Sequence, residues 1–151
     1  MGGGILTVDG VSVKNGGQNP AETVNATFYM VKGTLNINDG YFHASNDAAG
    51  NPNPVIFLKG DKFGGICTLN IYGGVFESES TSENNYLINV QDGLSANYNK
   101  VNVYGGTFVG FNPADGDKGV DGLTTFVADG YESVATEYNG KSAWKVQKKG
   151  E

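Results

Sequence analysis

The chain has 151 residues, 24 of them glycine, and a formal net charge of −6; a chain of this length holds one domain. All ten basic residues are lysine, and the acidic balance leaves no basic footprint for nucleic acid. The glycines keep no three-residue period, which excludes collagen, and no apolar run is long enough to span a bilayer.

In chain order, Met1-Gly2-Gly3-Gly4 reads as a flexible lead, residues 1–4. It lacks the basic start and apolar segment of a secretory signal, so export by that route is not expected. Leu6-Thr7-Val8 then alternates apolar and polar residues, with Val13 a few positions on. Ile5 and Leu6 are placed to seal a first turn or to meet a partner chain. The run from Gln18 to Lys32 has no glycine, but its Thr, Val, Asn and aromatic content predicts no helix. It ends in an apolar burst, Thr27-Phe28-Tyr29-Met30-Val31.

A phrase now repeats. Thr34-Leu35-Asn36-Ile37 leads through Asp39-Gly40 to Phe42. Thr68-Leu69-Asn70-Ile71-Tyr72 leads through Gly73-Gly74 to Phe76. Val101-Asn102-Val103-Tyr104 leads through Gly105-Gly106 to Phe108. Between the copies lie two further apolar bursts, Val55–Leu58 and Tyr86–Val90. Alternation at period two is strand spacing, and glycine accepts the positive φ of a sharp bend. Val8, Ile37, Ile71 and Val103 stand 29, 34 and 32 residues apart. A unit of that length cannot bury its inner face alone and implies a stack of coils. Three matched phrases set aside an ordinary sandwich. The predicted fold is all-β: a short parallel β-helix of about four coils over residues 5–126, with a C-terminal β-hairpin cap and tail at 127–151. Leu35, Leu69 and Val101 line its interior beside Ile37, Ile71 and Val103, and Phe42, Phe76 and Phe108 stack in another column.

Asn36, Asn70 and Asn102 point outward and are expected to form a ladder by hydrogen-bonding from coil to coil. Tyr72 and Tyr104 lie two residues beyond Asn70 and Asn102 on the same side. With those asparagines they are the candidate surface contacts, either for a sugar or protein or simply as a stack. Cys67 is alone, so no internal disulfide forms, and a buried thiol is expected. His43 has no neighbours in sequence that complete a catalytic or metal set.

The last part leaves the repeat. Asp115, Asp117 and Asp121 resemble the start of a calcium loop, but no bidentate glutamate follows and Lys118 intervenes; a solvated turn is expected. Asn139-Gly140 predicts a two-residue hairpin, and its return strand offers Trp144 as the lid over the open core. The loops at Ser45–Pro54, Gly60–Ile66, Glu79–Asn85 and Gly110–Leu123 form a variable rim suited to binding.

Cleavage of acidic polysaccharides needs close carboxylates, a cation and a strong base. There is no arginine, and Glu77 with Glu79 is the one pair that shares a strand face; Asp39 and Asp92 are further exposed acids. No enzymatic activity, cofactor or metal is expected.

At the Gly-Gly-x-Phe phrases, the Asn112-Pro113-Ala114 loop and Phe126-Val127-Ala128-Asp129-Gly130-Tyr131, the chain resembles short pectate-lyase-like β-helix modules. These occur in phage head-fibre and capsid-decoration proteins and in surface proteins of gut bacteria. The likeness covers about Leu35 to Val146. It implies a right-handed coil and a non-enzymatic virion element, a homotrimer attached to a capsid or other virion protein and touching host-surface glycans. The lyase active-site residues have no counterparts here. The alternative reading is a carbohydrate- or host-binding adhesin module at a bacterial surface; a polysaccharide-active enzyme is the third.

Overall fold

The computed structural model describes residues 2–15, 26–45, 53–79 and 86–151. Most of the rim expected at Ser45–Pro54 and Glu79–Asn85, and the start of the Gln18–Lys32 run, lie outside the described residues.

Each of the first three coils supplies one strand to each of three sheets, and the fourth supplies strands to two of them. The first contributes β1 (Gly2–Val8), β2 (Val11–Asn15) and β3 (Phe28–Met30). The second contributes β4 (Lys32–Ile37), β5 (Gly40–Ala44) and β6 (Ile56–Leu58). The third contributes β7 (Cys67–Ile71), β8 (Val75–Ser78) and β9 (Ile88–Val90). The fourth gives β10 (Asn99–Val103) and β11 (Thr107–Val109), followed by the hairpin β12 (Tyr131–Tyr138) and β13 (Lys141–Lys148). The sheets run β1-β4-β7-β10, β12-β13-β11-β8-β5-β2 and β3-β6-β9. Pairing between coils is parallel; only β13 pairs antiparallel, with β11 and β12. This is a short right-handed parallel β-helix with a hairpin cap.

The repeat sets the register. Val8 pairs with Ile37, Ile37 with Ile71, and Ile71 with Val103. Leu35, Leu69 and Val101 form the neighbouring interior column, and all these side chains are buried. Phe42 stacks on Phe76 at 5.1 Å and Phe76 on Phe108 at 4.8 Å between ring centroids. Like over like lets each coil bury the face its neighbour exposes, the main source of stability in a stack. Cys67 is buried, and its thiol donates to the Met30 carbonyl.

The bends use their glycines in two ways. Gly106 has φ +100°, a conformation that L side chains rarely adopt. Gly105 instead lets the backbone pass close to the Tyr72 carbonyl, where a Cβ would collide. Gly74 and Gly73 repeat this division one coil earlier.

Three placements differ from the sequence reading. Gly2–Gly4 do not lie outside the coils; they belong to β1, where Gly3 and Gly4 adopt positive φ within an irregularity between Gly2 and Ile5. The end of the core is closed by Phe111, Val120, Leu123 and Phe126, all buried, whereas Trp144 is half-buried opposite Phe108. The acidic loop is not a solvated turn. Asp117 is 4% exposed, and its carboxylate accepts the N–H of Val90 and of Gly119, both at 3.0 Å. It thereby satisfies an edge donor of β9 where another coil would have paired. Gly110–Leu123 is therefore largely a plug, and only part of it is a rim. The hairpin turn is as expected: Asn139 and Gly140 both have positive φ.

Candidate functional site

The asparagine ladder forms on the outer face of β4, β7 and β10. Asn70 donates its side-chain amide to Asn36 at 2.9 Å, and Asn102 donates to Asn70 at 3.0 Å. Each amide carries both a donor and an acceptor, so an aligned row hydrogen-bonds along its length.

The next outward column holds the tyrosines. Tyr72 N–H donates to the Ile37 carbonyl and Tyr104 N–H to the Ile71 carbonyl, which fixes both residues at the same bend on successive coils. Their rings stack with centroids 5.0 Å apart and planes 6° from parallel. Tyr131, at the start of β12, meets Tyr104 edge-on at 5.3 Å, so the cap extends the ladder. Tyr72 is 51% exposed. A groove of about 390 Å³ runs beside the rings, lined by Tyr72, Tyr104, Tyr131, Lys145, Gln147 and Lys148. The groove is open and mostly polar, with the three tyrosine rings as its apolar part, so it is a surface cleft and not an enclosed pocket. Tyr131 escapes the repeat comparison, because it sits in the cap.

The carboxylate pair is spoken for. Glu77 accepts from Tyr41 Oη at 2.8 Å and from Lys141 Nζ at 2.7 Å. The Lys141 hydrogen bond, followed by that of Tyr41, holds the Glu77 carboxyl below its ordinary value. Partial burial and the same contact push Tyr41 up to about 12. Glu79 lies 3.2 Å from His43 Nε2. Each acid thus ties coils or cap together across the outer face of β5 and β8.

Two further residues escaped the sequence reading. Phe63 is 87% exposed at the tip of a turn whose Asp61 carboxylate accepts the N–H groups of Phe63 and Gly64. Asn99 is fully buried and binds the backbone of Gly60. Among the described residues no three His, Cys, Asp or Glu side chains gather as a metal site, and no helix is long and apolar enough to cross a membrane. No family model matches the chain, and no curated protein or solved structure matches it significantly.

Proposed function

We propose that the chain is a non-catalytic binding module that holds carbohydrate at a bacterial or host surface. The observation that carries this reading is the solvent-facing ladder Tyr72–Tyr104–Tyr131 with its open groove. Sugar rings present flat C–H faces that pack on aromatic side chains, while Lys145 and Lys148 supply hydrogen-bond donors along the groove; the Gln147 amide N–H groups are given to Glu132 and to the Glu151 carbonyl. The rigid stack underneath holds the rings in place before any ligand arrives, which lowers the ordering cost of binding.

The test is a glycan screen followed by calorimetry. Binding should be lost in Tyr104→Ala and kept in Tyr104→Phe, both checked for an intact melting transition. A folded protein that binds no glycan would overturn the assignment.

A second reading, a head-fibre or capsid decoration that associates in threes, draws on one different feature. Ile5, Leu6, Val11, Tyr29 and Val31 are all exposed apolar residues of the first coil. Apolar groups gathered at one end of a stack favour association with another chain.

A further inference from the structure

The tyrosine ladder stops one rung short. Asn38 donates its N–H to the Val8 carbonyl just as Tyr72 does to Ile37 and Tyr104 to Ile71. Asn38 therefore holds the same bend in the second coil that the tyrosines hold in the third and fourth. One face of Tyr72 is covered by Tyr104. Its other face looks along the stack toward the Asn38 rung, and among the described residues no ring lies on it. Asparagine is much shorter than tyrosine, so the outer part of that rung stands open beside an aromatic face.

We propose that this open rung is a subsite for one neutral pyranose ring, stacked on Tyr72 in the plane of the second coil. The inference rests on the glycan-binding reading above and extends it past the groove, to the Asn38 side of Tyr72, whose rim residues Asn38, Asp39 and Asp9 do not line that groove. Coils are spaced at roughly 4.8 Å, close to the thickness of a sugar ring stacked on an aromatic one. The ligand would continue the column that Tyr104 and Tyr72 begin.

The rim sets the chemistry. Asn38, Asp39 and Asp9 are exposed. The Asp39 Oδ1 accepts the Gly40 N–H at 2.8 Å, and its other oxygen has no partner among the described residues. Neither Asp9 nor Asp39 is in a described ion pair. Free carboxylate oxygens accept hydrogen bonds from sugar hydroxyls, and the Asn38 amide both donates and accepts. The same carboxylates, on a chain of net charge −6, repel a sugar that carries its own carboxylate. The subsite therefore selects neutral sugars with a flat apolar face, such as β-gluco or β-galacto units.

The experiment uses the full chain with β-linked neutral gluco- and galacto-oligosaccharides, and their C6-oxidised uronates, followed by NMR. The neutral probe should shift the Asn38 side-chain amide, and its own C–H protons should move upfield under the Tyr72 ring. Asn38→Tyr fills the rung with a third stacked ring; it should weaken binding tenfold or more while leaving the melting temperature unchanged or raised. Tyr72→Ala, checked for an intact melting transition, should lose the neutral probe, and the uronates should bind at least tenfold more weakly. A glycan that binds equally well to Asn38→Tyr, with shifts confined to Lys145, Gln147 and Lys148, would overturn the rung assignment and leave the glycan-binding reading standing. Equal affinity for the uronates would overturn the selectivity. Absence of binding by every glycan would bring down both the subsite and the reading on which it rests.

Discussion

Asn99 binds Gly60 through both ends of its amide. Its Oδ1 accepts the Gly60 N–H at 2.8 Å, and its Nδ2 donates to the Gly60 carbonyl at 2.8 Å and to the Ser95 carbonyl at 3.1 Å. The side chain thus does, in the buried turn between sheets, what a backbone ladder does elsewhere. Asn99→Leu fills a similar volume but strands two polar groups of Gly60. The expected loss is roughly 2–6 kcal/mol in a urea titration, because each buried unsatisfied group costs about 1–3 kcal/mol. Asn99→Asp keeps the acceptor and loses the donor, so it should also destabilise; wild-type stability in both variants would refute the role.

The bend glycines separate two physical causes. Gly105→Ala leaves a permitted backbone conformation but drives a methyl into the Tyr72 carbonyl, and relieving that requires the coils to shift. Gly106→Val brings a Cβ to 3.2 Å from the Gly74 carbonyl and 3.4 Å from the Phe76 and Phe108 rings, a tight fit short of the collision at Gly105, and φ +100° strains any L residue there. Each should cost on the order of 1–3 kcal/mol. Gly105→Ala should additionally disturb the Tyr72–Tyr104 stack, visible as altered tyrosine ring shifts, and Gly106→Val should do so less.

The tie between Glu77 and Lys141 predicts a pH profile. Glu77 is held below its ordinary 4.5, so its contribution is full above that value and is lost as pH falls through the lowered folded one. Lys141 is held above its ordinary 10.5, so its contribution is full below that value and is lost as pH rises through the raised folded one. The tie therefore operates fully between about pH 4.5 and 10.5. Lys141 is 62% exposed, so solvent and salt screen the pair and the effect on melting is small. Glu77→Gln should flatten the acid limb of the melting-temperature curve; an unchanged acid limb would show that other carboxyls govern it.

The columns were legible because the repeat writes them out. Ile37, Ile71 and Val103 share a position, a residue class and a parity, and the parallel register follows from those alone. The tyrosine and asparagine rows follow by the same counting. Asn99 was not legible, since its column reads Gly33, Cys67, Asn99, three unlike residues with different tasks. Asp117 looked like a solvated carboxylate because only the fold brings β9 beside it. Trp144 looked like a lid on size alone, but the plug at residues 111–126 fills that place, and the tryptophan lies half-buried opposite Phe108. Repetition reveals what the coils share; residues that end the stack occur once and need the coordinates.

Asp117 offers a test of how the stack ends. Its carboxylate accepts from Val90 and Gly119, and Gly93 N–H donates to the Gly119 carbonyl, so the plug is stitched to the turn after β9. Asp117→Ala leaves the buried Val90 donor without its acceptor, at a cost of about 1–3 kcal/mol. Amide exchange should speed up at Val90 first, with the core of β7 and β4 still protected. Uniform loss of protection along the whole stack would instead mean that the plug and coils open together.

Self-association is the expectation that bears on the fibre reading. The first coil leaves β1, β2 and β3 as the outer strands of their parallel ladders, and β1 from Gly2 to Val8 carries no charged residue to discourage pairing. Ile5 is 76% exposed, the most open large apolar side chain among the described residues of that coil. A trimer should sediment at three times the 15.9 kDa chain mass, and Ile5→Asp should return it to monomer without lowering the melting temperature of the isolated chain. A wild-type monomer at every concentration tested would remove the trimer and, with it, the case for a fibre; the glycan-binding proposal would be unaffected.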